Sequence, residues 1–332
     1  LLANTTGEKN VAIGYFALSS NITARYNNAV GHEALKNNTT GQYNNAMGVG
    51  ALISNTTGSY NTAIGNSVMA ANVTGMKNVA VGMEAMNKNT SGKENTAVGA
   101  YALKYNTIGV GNVALGYTAL SANTTGVANT AVGRNAMGLN TIGQYNTSIG
   151  ETALYANTTG THNTAIGSQA LKFNTTGIRN TAVGLQALNQ STTATDNTGM
   201  GYQAMYFNTT GISNVAVGKT ALFANTIGYN NTSIGVNSLI ANTTGVNNTG
   251  VGKNAGNSIT VGTNLTMVGY DADASAVDAT NEITLGNANV ATLRCNTQSI
   301  SALSDIRDKT NIEDLDAGIN FVKELKPVTF DW

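Results

Sequence analysis

Apolar residues along this chain recur at a fixed distance of 17 residues, a period that is neither helical nor a simple strand alternation. Counting a repeating asparagine as position 0, position 3 is aliphatic or Met in every unit, as Ile13, Val30, Met47, Ile64, Val81, Val98, Leu115 and onward to Val251. Position 8 is Leu or Met in fourteen of fifteen units, from Leu18 to Leu239, and gives way only at Gly256. The polar frame is as regular. Asparagine returns from Asn10 through Asn129, Asn146 and Asn163 to Asn248, and four residues after each stands a glycine, from Gly14 through Gly133, Gly150 and Gly167 to Gly252. That glycine register persists at Gly269 and Gly286, where the rest of the motif has faded. A spacing without insertion is what stacked solenoid coils require, because each coil lies directly on the last. Helical repeats need about 33 to 47 residues and are excluded by length.

Within a unit, a β-favouring run such as Thr130-Ala131-Val132 ends at Gly133, and a second segment such as Ala136-Met137 leads to another turn at Asn140 to Gly143. This predicts two short strands and two turns per coil, hence an all-β parallel β-roll or β-solenoid of 17-residue coils. Glycine suits such turns because it reaches positive φ without a Cβ penalty, and Asn is the next most tolerant residue. Two large apolar residues and about two alanines per coil make a thin core. Ordering a residue costs about 1–2 kcal/mol of backbone entropy, whereas a buried Leu or Ile returns only about 1.5–3 kcal/mol. One apolar column is therefore expected to fill the roll and the other to face neighbouring subunits, in a parallel homo-oligomer. The asparagine column reads first as a ladder of stacked amides, with ligand binding as the alternative. Sequons such as Asn123-Thr124-Thr125 arise from the repeating turn itself, so they do not by themselves call for glycosylation.

Composition narrows the function classes. Among 332 residues, 17 are basic and 17 acidic, and only 10% are charged, against about 25% in ordinary soluble domains. No basic excess supports nucleic-acid binding or an anionic membrane surface. With 38 glycines but one proline, the chain is not collagen-like. The single Cys295 excludes an intrachain disulfide framework. No apolar run approaches the roughly 18 residues that span a bilayer, and the opening LLANTTGEKN is not a signal pattern. Because the chain begins without Met, it is read as part of a longer polypeptide. A threonine column at Thr124, Thr141, Thr158 and Thr175 suggests an ice-binding array, but the second Thr of each turn is adjacent in sequence and would point to the other face of a strand. Glycosidase chemistry needs two positioned carboxylates, and Glu8, Glu33, Glu84, Glu94, Glu151 and Asp196 fall in no common column. His32 and His162 stand apart. Asp271, Asp273 and Asp278 form an acidic patch without the rest of a Ca²⁺ loop. Neither a metal nor a cofactor is expected.

The units, of the form NTAVGxxAL, resemble the head repeats of trimeric autotransporter adhesins over residues 1–252. That resemblance implies a left-handed, trimeric parallel β-roll, an architecture shared by bacterial adhesins and viral fibres. The unit here is longer than the commonest adhesin repeat.

From Lys253 the strict motif dissolves into Val-, Ile- and Thr-rich sequence, read as a tapering continuation and connector over 253–303. The last segment, 304–332, holds eleven charged residues of the 34 in the chain and belongs to another domain. Asn311 can cap a helix on which Leu315, Ile319 and Val322 share a face, and Pro327 ends it. The run SALSDIRDKTNIEDLDAGINFVKELKPVTFDW is similar to the start of the endosialidase-type intramolecular chaperone, an α+β domain that ends many bacteriophage tail fibres and spikes. The resemblance implies that the domain assists trimer assembly and then cuts itself off between Ser304 and Asp305, with Ser304 as nucleophile and Lys309 as the base that activates it. A serine hydroxyl does need such a neighbour, and a desolvated lysine can serve. The reading is therefore a structural homotrimeric tail fibre, carried in the virion, that joins other tail proteins and holds or forms a region binding a host glycan or protein receptor. The alternative is a bacterial surface adhesin.

Overall fold

A computed structural model describes residues 2–294 and shows a single parallel sheet of seventeen three-residue strands, from β1 (Val11–Ile13) and β2 (Asn28–Val30) to β16 (Thr266–Val268) and β17 (Ile283–Leu285). Each strand pairs with the next in sequence order, residue i opposite residue i+17, as Thr130↔Thr147, Ala131↔Ser148 and Val132↔Ile149 show. The 17-residue period is thus the register of the ladder. Two coils beyond the strict motif keep it, since β16 pairs with β15 and β17 with β16 in the same register. The chain divides into two compact units, residues 1–289 and 290–332, and the first is a β-solenoid whose coils rise by one strand spacing each, about 4.8 Å.

The second segment of each coil is not a strand. In coil 8, Asn135 and Met137 have φ of 56° and 52°, with Ala136 between them. This alternation turns successive N–H groups in different directions: Asn135 N–H donates to Tyr117 O below (3.0 Å), Ala136 N–H to Gly133 O in its own coil (3.3 Å), and Met137 N–H to Ala153 O above (2.9 Å). Left-handed φ recurs at positions 6, 8 and 16 of nearly every coil, and the residue types fit. No valine or isoleucine occupies those three columns, because a β-branched side chain at positive φ is strained. Threonine is the one β-branched type admitted, at Thr118, Thr152 and Thr220 of position 6. Leu and Met, unbranched at Cβ, hold position 8. The strand column at position 3 is mostly Val and Ile, as an extended backbone favours.

Burial separates the two apolar columns. Leu18, Leu35, Leu52, Met69, Leu120 and Met137 are fully buried, stacked on alanines such as Ala131 and Ala136. Position 8 therefore fills the roll. Position 3 lies on the outer face of the strand, with Ile13, Met47, Ile149 and Met200 at 40–60% exposure. One glycine column is obligatory for two reasons at once. Gly133 has φ of 129°, and a Cβ there would sit 2.6 Å from Gly150 O of the next coil.

Candidate functional site

Inside the roll the asparagines are structural. Asn129 is fully buried; its backbone N–H and its Nδ2 both donate to Asn112 Oδ1, at 3.0 and 3.2 Å, and Nδ2 also donates to Gly143 O at 2.8 Å. Asn146 repeats the arrangement on Asn129 Oδ1, and Asn163 on Asn146. A second ladder, which sequence reasoning took for turn residues, runs at position 11: Asn140 Nδ2 donates to Asn123 Oδ1 (2.8 Å) and to Gly143 O (3.1 Å). The same glycine carbonyl therefore binds both columns together. This arrangement leaves the sequon asparagines inside the two ladders unavailable in the folded chain. Asn123 is fully buried with its amide donating to Asn106 Oδ1 and Gly126 O. The signal for this second ladder is the recurrence of asparagine at position 11 in most coils.

The ladder breaks once in mid-array. Ser191 stands where an asparagine is due, and it leaves Asn174 Oδ1 without a donor and its own Oγ without a partner. A buried acceptor left unmade costs about 1–3 kcal/mol. Ser191→Asn restores the missing amide and should raise stability by about 1–2 kcal/mol, read as a higher denaturant midpoint at unchanged slope.

Among the described residues the titratable groups form no catalytic set. Five of the six carboxylates in the repeat array pair with cations: Glu33 with Lys36 (2.7 Å), Glu84 with Lys104 (2.8 Å), Glu94 with Lys77 (3.4 Å), Asp196 with Arg179 (2.6 Å), and Glu151 with Arg134. His32 stacks on Tyr15 and His162 on Tyr145. In the acidic patch Asp271 accepts from Asn254 Nδ2 (2.7 Å), and Asp273 caps the Ala274 N–H (3.1 Å). Among the described residues no three His, Cys, Asp or Glu side chains gather as a metal set. The threonine column is likewise engaged, since Thr124 Oγ1 donates to Thr141 O and Thr141 Oγ1 to Thr158 O, each at 3.0 Å.

The pH response follows from these pairs. The Lys36 ammonium holds the Glu33 carboxyl below the usual range, and Arg179 does the same to Asp196; such stabilisation is present at neutral pH and lost as pH falls through the lowered values. Glu84 raises the Lys104 ammonium, and the Tyr26 hydroxyl raises Lys9, so their contributions fade only when pH climbs through the raised lysine values. All are at the surface, where a pair is worth little, and the interior is bonded amide to amide. The melting temperature should therefore be flat between about pH 5 and pH 9, which calorimetry across buffers checks.

The longest apolar column left in water is on the outer strand face. Position 3 presents one aliphatic side chain per coil, including Ile13, Ile64, Val98, Leu115, Ile166 and Ile234, all 37–60% exposed. The stripe is continuous over β1 to β17, roughly 75 Å at the usual strand spacing. An exposed apolar patch of that extent marks a surface made for contact.

Residues 304–332 match the family model described as chaperone of endosialidase. No curated protein matches the chain. The match begins at the Ser304 that the resemblance made the nucleophile, and it contains Asp305 and Lys309. These three residues, and the predicted helix at 311–326, lie outside the described residues. The chain therefore joins a β-solenoid that suits a fibre to a C-terminal segment similar to the endosialidase chaperone.

Proposed function

We propose that the chain is a shaft segment of a homotrimeric bacteriophage tail fibre, assembled with the help of its C-terminal chaperone. The observation that carries this reading is the aliphatic stripe, which repeats once per coil and so matches an identical stripe on a parallel copy coil for coil. Three such stripes meeting about an axis bury what one chain leaves in water, at about 25 cal/mol per Å² of apolar surface. Identical coils also create a hazard. A copy displaced by one coil finds nearly the same contacts, so pairing alone does not fix the alignment. A chaperone domain that trimerises first, at one end, supplies the missing alignment. The chaperone match supports a phage fibre over a bacterial adhesin, and the rod would hold a host-binding region away from the particle.

Maturation then removes the chaperone. Ser304 Oγ attacks the scissile carbonyl to form an ester as the bond to the Asp305 nitrogen breaks; Lys309 takes the hydroxyl proton and passes it to the departing Asp305 amine, and one water then hydrolyses the ester, leaving a carboxylate on Ser304 and restoring the hydroxyl. Denaturing mass spectrometry of the full-length product tests this step. The wild type should end at Ser304 and the Ser304→Ala variant should stay whole. An uncut wild type, or a cut variant, would remove the maturation step.

A further inference from the structure

The repeat itself states what the fold needs at each column, so departures from it are informative. Positions 9 and 10 face outward after the buried Leu or Met, and most coils fill them with small or polar residues such as Ser20, Ser54, Ala71 and Ala122. Across coils 9 to 13 those columns instead carry Tyr155, Phe173, Tyr206, Phe207 and Phe223. Phe173 and Phe207 are 39% and 44% exposed, two coils apart and so about 10 Å along the rod. Phe207 stands edge-on to Tyr206 and Phe223, with ring centres at 4.7 and 5.1 Å and planes at 83° and 80°, which fixes its orientation.

Beside the aromatics runs a row of carboxamides. Gln203 Nε2 donates to Gln186 Oε1 and Gln186 Nε2 to Gln169 Oε1, both at 2.8 Å. Asn189 Nδ2 donates to Gln169 O (2.9 Å), and Gln190 Nε2 to Asn189 Oδ1 (2.7 Å). Among the described residues nothing donates to Gln190 Oε1 or Gln203 Oε1, so the row keeps free acceptors as well as free amide hydrogens. The charged groups of these coils are few: Glu151 and Asp196 are paired with arginines, Lys172 sits over the Phe173 ring at 4.9 Å, and Lys219 is exposed. A second, independent irregularity lies in the same coils. The broken asparagine ladder, with Asn174 Oδ1 and Ser191 Oγ unpartnered, is adjacent in sequence to Phe173 and Gln190. Local rules of a fold are broken chiefly at functional sites.

We propose that this face of coils 9 to 13 is an oligosaccharide-binding site, with Phe173 and Phe207 as platforms for sugar rings and the Gln190 and Gln203 amides as hydroxyl partners. Aromatic faces take the C–H side of a pyranose, while carboxamides, which donate and accept at once, suit vicinal hydroxyls. Other occupants fit less well. A peptide strand needs an unpaired backbone edge, and here the coil backbone is bonded above and below; an anionic polymer needs a denser row of cations than Lys172 and Lys219 supply. A second copy of the chain is served by the strand face, whose stripe runs the full length, whereas these aromatics lie in four coils, 9, 10, 12 and 13. The proposal rests on the fibre reading for the source of the sugar, a host surface.

The test uses the full-length chain and an array of defined neutral oligosaccharides from bacterial surface polysaccharides, with hits measured by calorimetry. The variant F173S/F207S installs the serine that Ser20, Ser54 and Ser258 already place in that column, and Tyr105→Ser, in the same column outside the patch, is the control. The wild type and the control should bind at least one sugar, and the double variant should bind it at least tenfold more weakly at unchanged melting temperature and native mass. Binding to none of the array, or equal binding by the double variant, would overturn the site. A change in native mass in the double variant would overturn it in favour of a contact between copies. Sugar binding by a chain that proves monomeric would leave the site standing and remove the trimer instead.

Discussion

Replacing Gly133 by alanine should open the solenoid at coil 8. The backbone there has φ of 129°, a conformation whose cost for an L-residue is about 1–3 kcal/mol. In addition, the new Cβ would sit 2.6 Å from Gly150 O and 2.8 Å from its carbonyl carbon. Those are backbone atoms held by the next coil, so neither can swing away, and the coil-to-coil bond from Gly150 N–H to Val132 O (2.8 Å) stands beside them. The combined loss should exceed about 3 kcal/mol, the range of severe single substitutions. Because each coil touches only its neighbours, the damage should stay local: a solenoid behaves as a sum of nearest-neighbour terms. Limited proteolysis should therefore cut near residue 133, leaving two protected halves, and the melting curve should broaden or split. Gly111→Ala is the natural comparison. Alanine already stands in that column as Ala128, at φ of 53°, and a Cβ at Gly111 meets nothing within 4 Å, so this variant should lose much less.

Charging the outer stripe should disperse the assembly without unfolding the chain. Val132, Ile149 and Ile166 occupy position 3 of three successive coils; Ile149 and Ile166 are 40% and 37% exposed in the single chain. The triple variant V132D/I149D/I166D thus costs the isolated coil stack little. In a trimer it would place nine carboxylates along a buried axis, each needing solvation that an apolar interface does not give. Light scattering should show a monomer, with far-ultraviolet circular dichroism close to that of the wild type. Three aspartates on an outward turn column, T125D/T159D/T176D, should leave the assembly intact.

Much of this architecture is legible in the sequence because a solenoid writes its geometry into its period. The Asn129, Asn146 and Asn163 column and the Gly133, Gly150 and Gly167 column follow from spacing alone; in the fold the asparagines bond coil to coil and the glycines allow the backbones their close approach. Assigning roles to the two apolar columns needs the structure, since position 8 and position 3 differ in burial only once the coil is closed. Met137 at position 8 is fully buried, while Val132 at position 3 is half-exposed. The expected second strand at Ala136-Met137 is not formed. Its residues read as β-compatible, but positions 6 and 8 adopt left-handed φ, and the absence of Val and Ile from those columns is the signal that marks them. The second asparagine ladder, at Asn123 and Asn140, is hidden by its likeness to a turn motif. At the other end of the chain, the roles of Ser304, Asp305 and Lys309 come from resemblance, because a serine and a lysine five residues apart carry no chemistry until a fold brings them together.

The pairing of stripe with stripe is the central claim, and native mass spectrometry of the wild-type product tests it most directly. One dominant species of three chains is expected, and it should persist after the chaperone segment has been removed, because the stripes hold the shaft once they are aligned. A stable, soluble monomer with the seventeen coils folded would contradict it, since the exposed aliphatic column would then have no partner in the assembly.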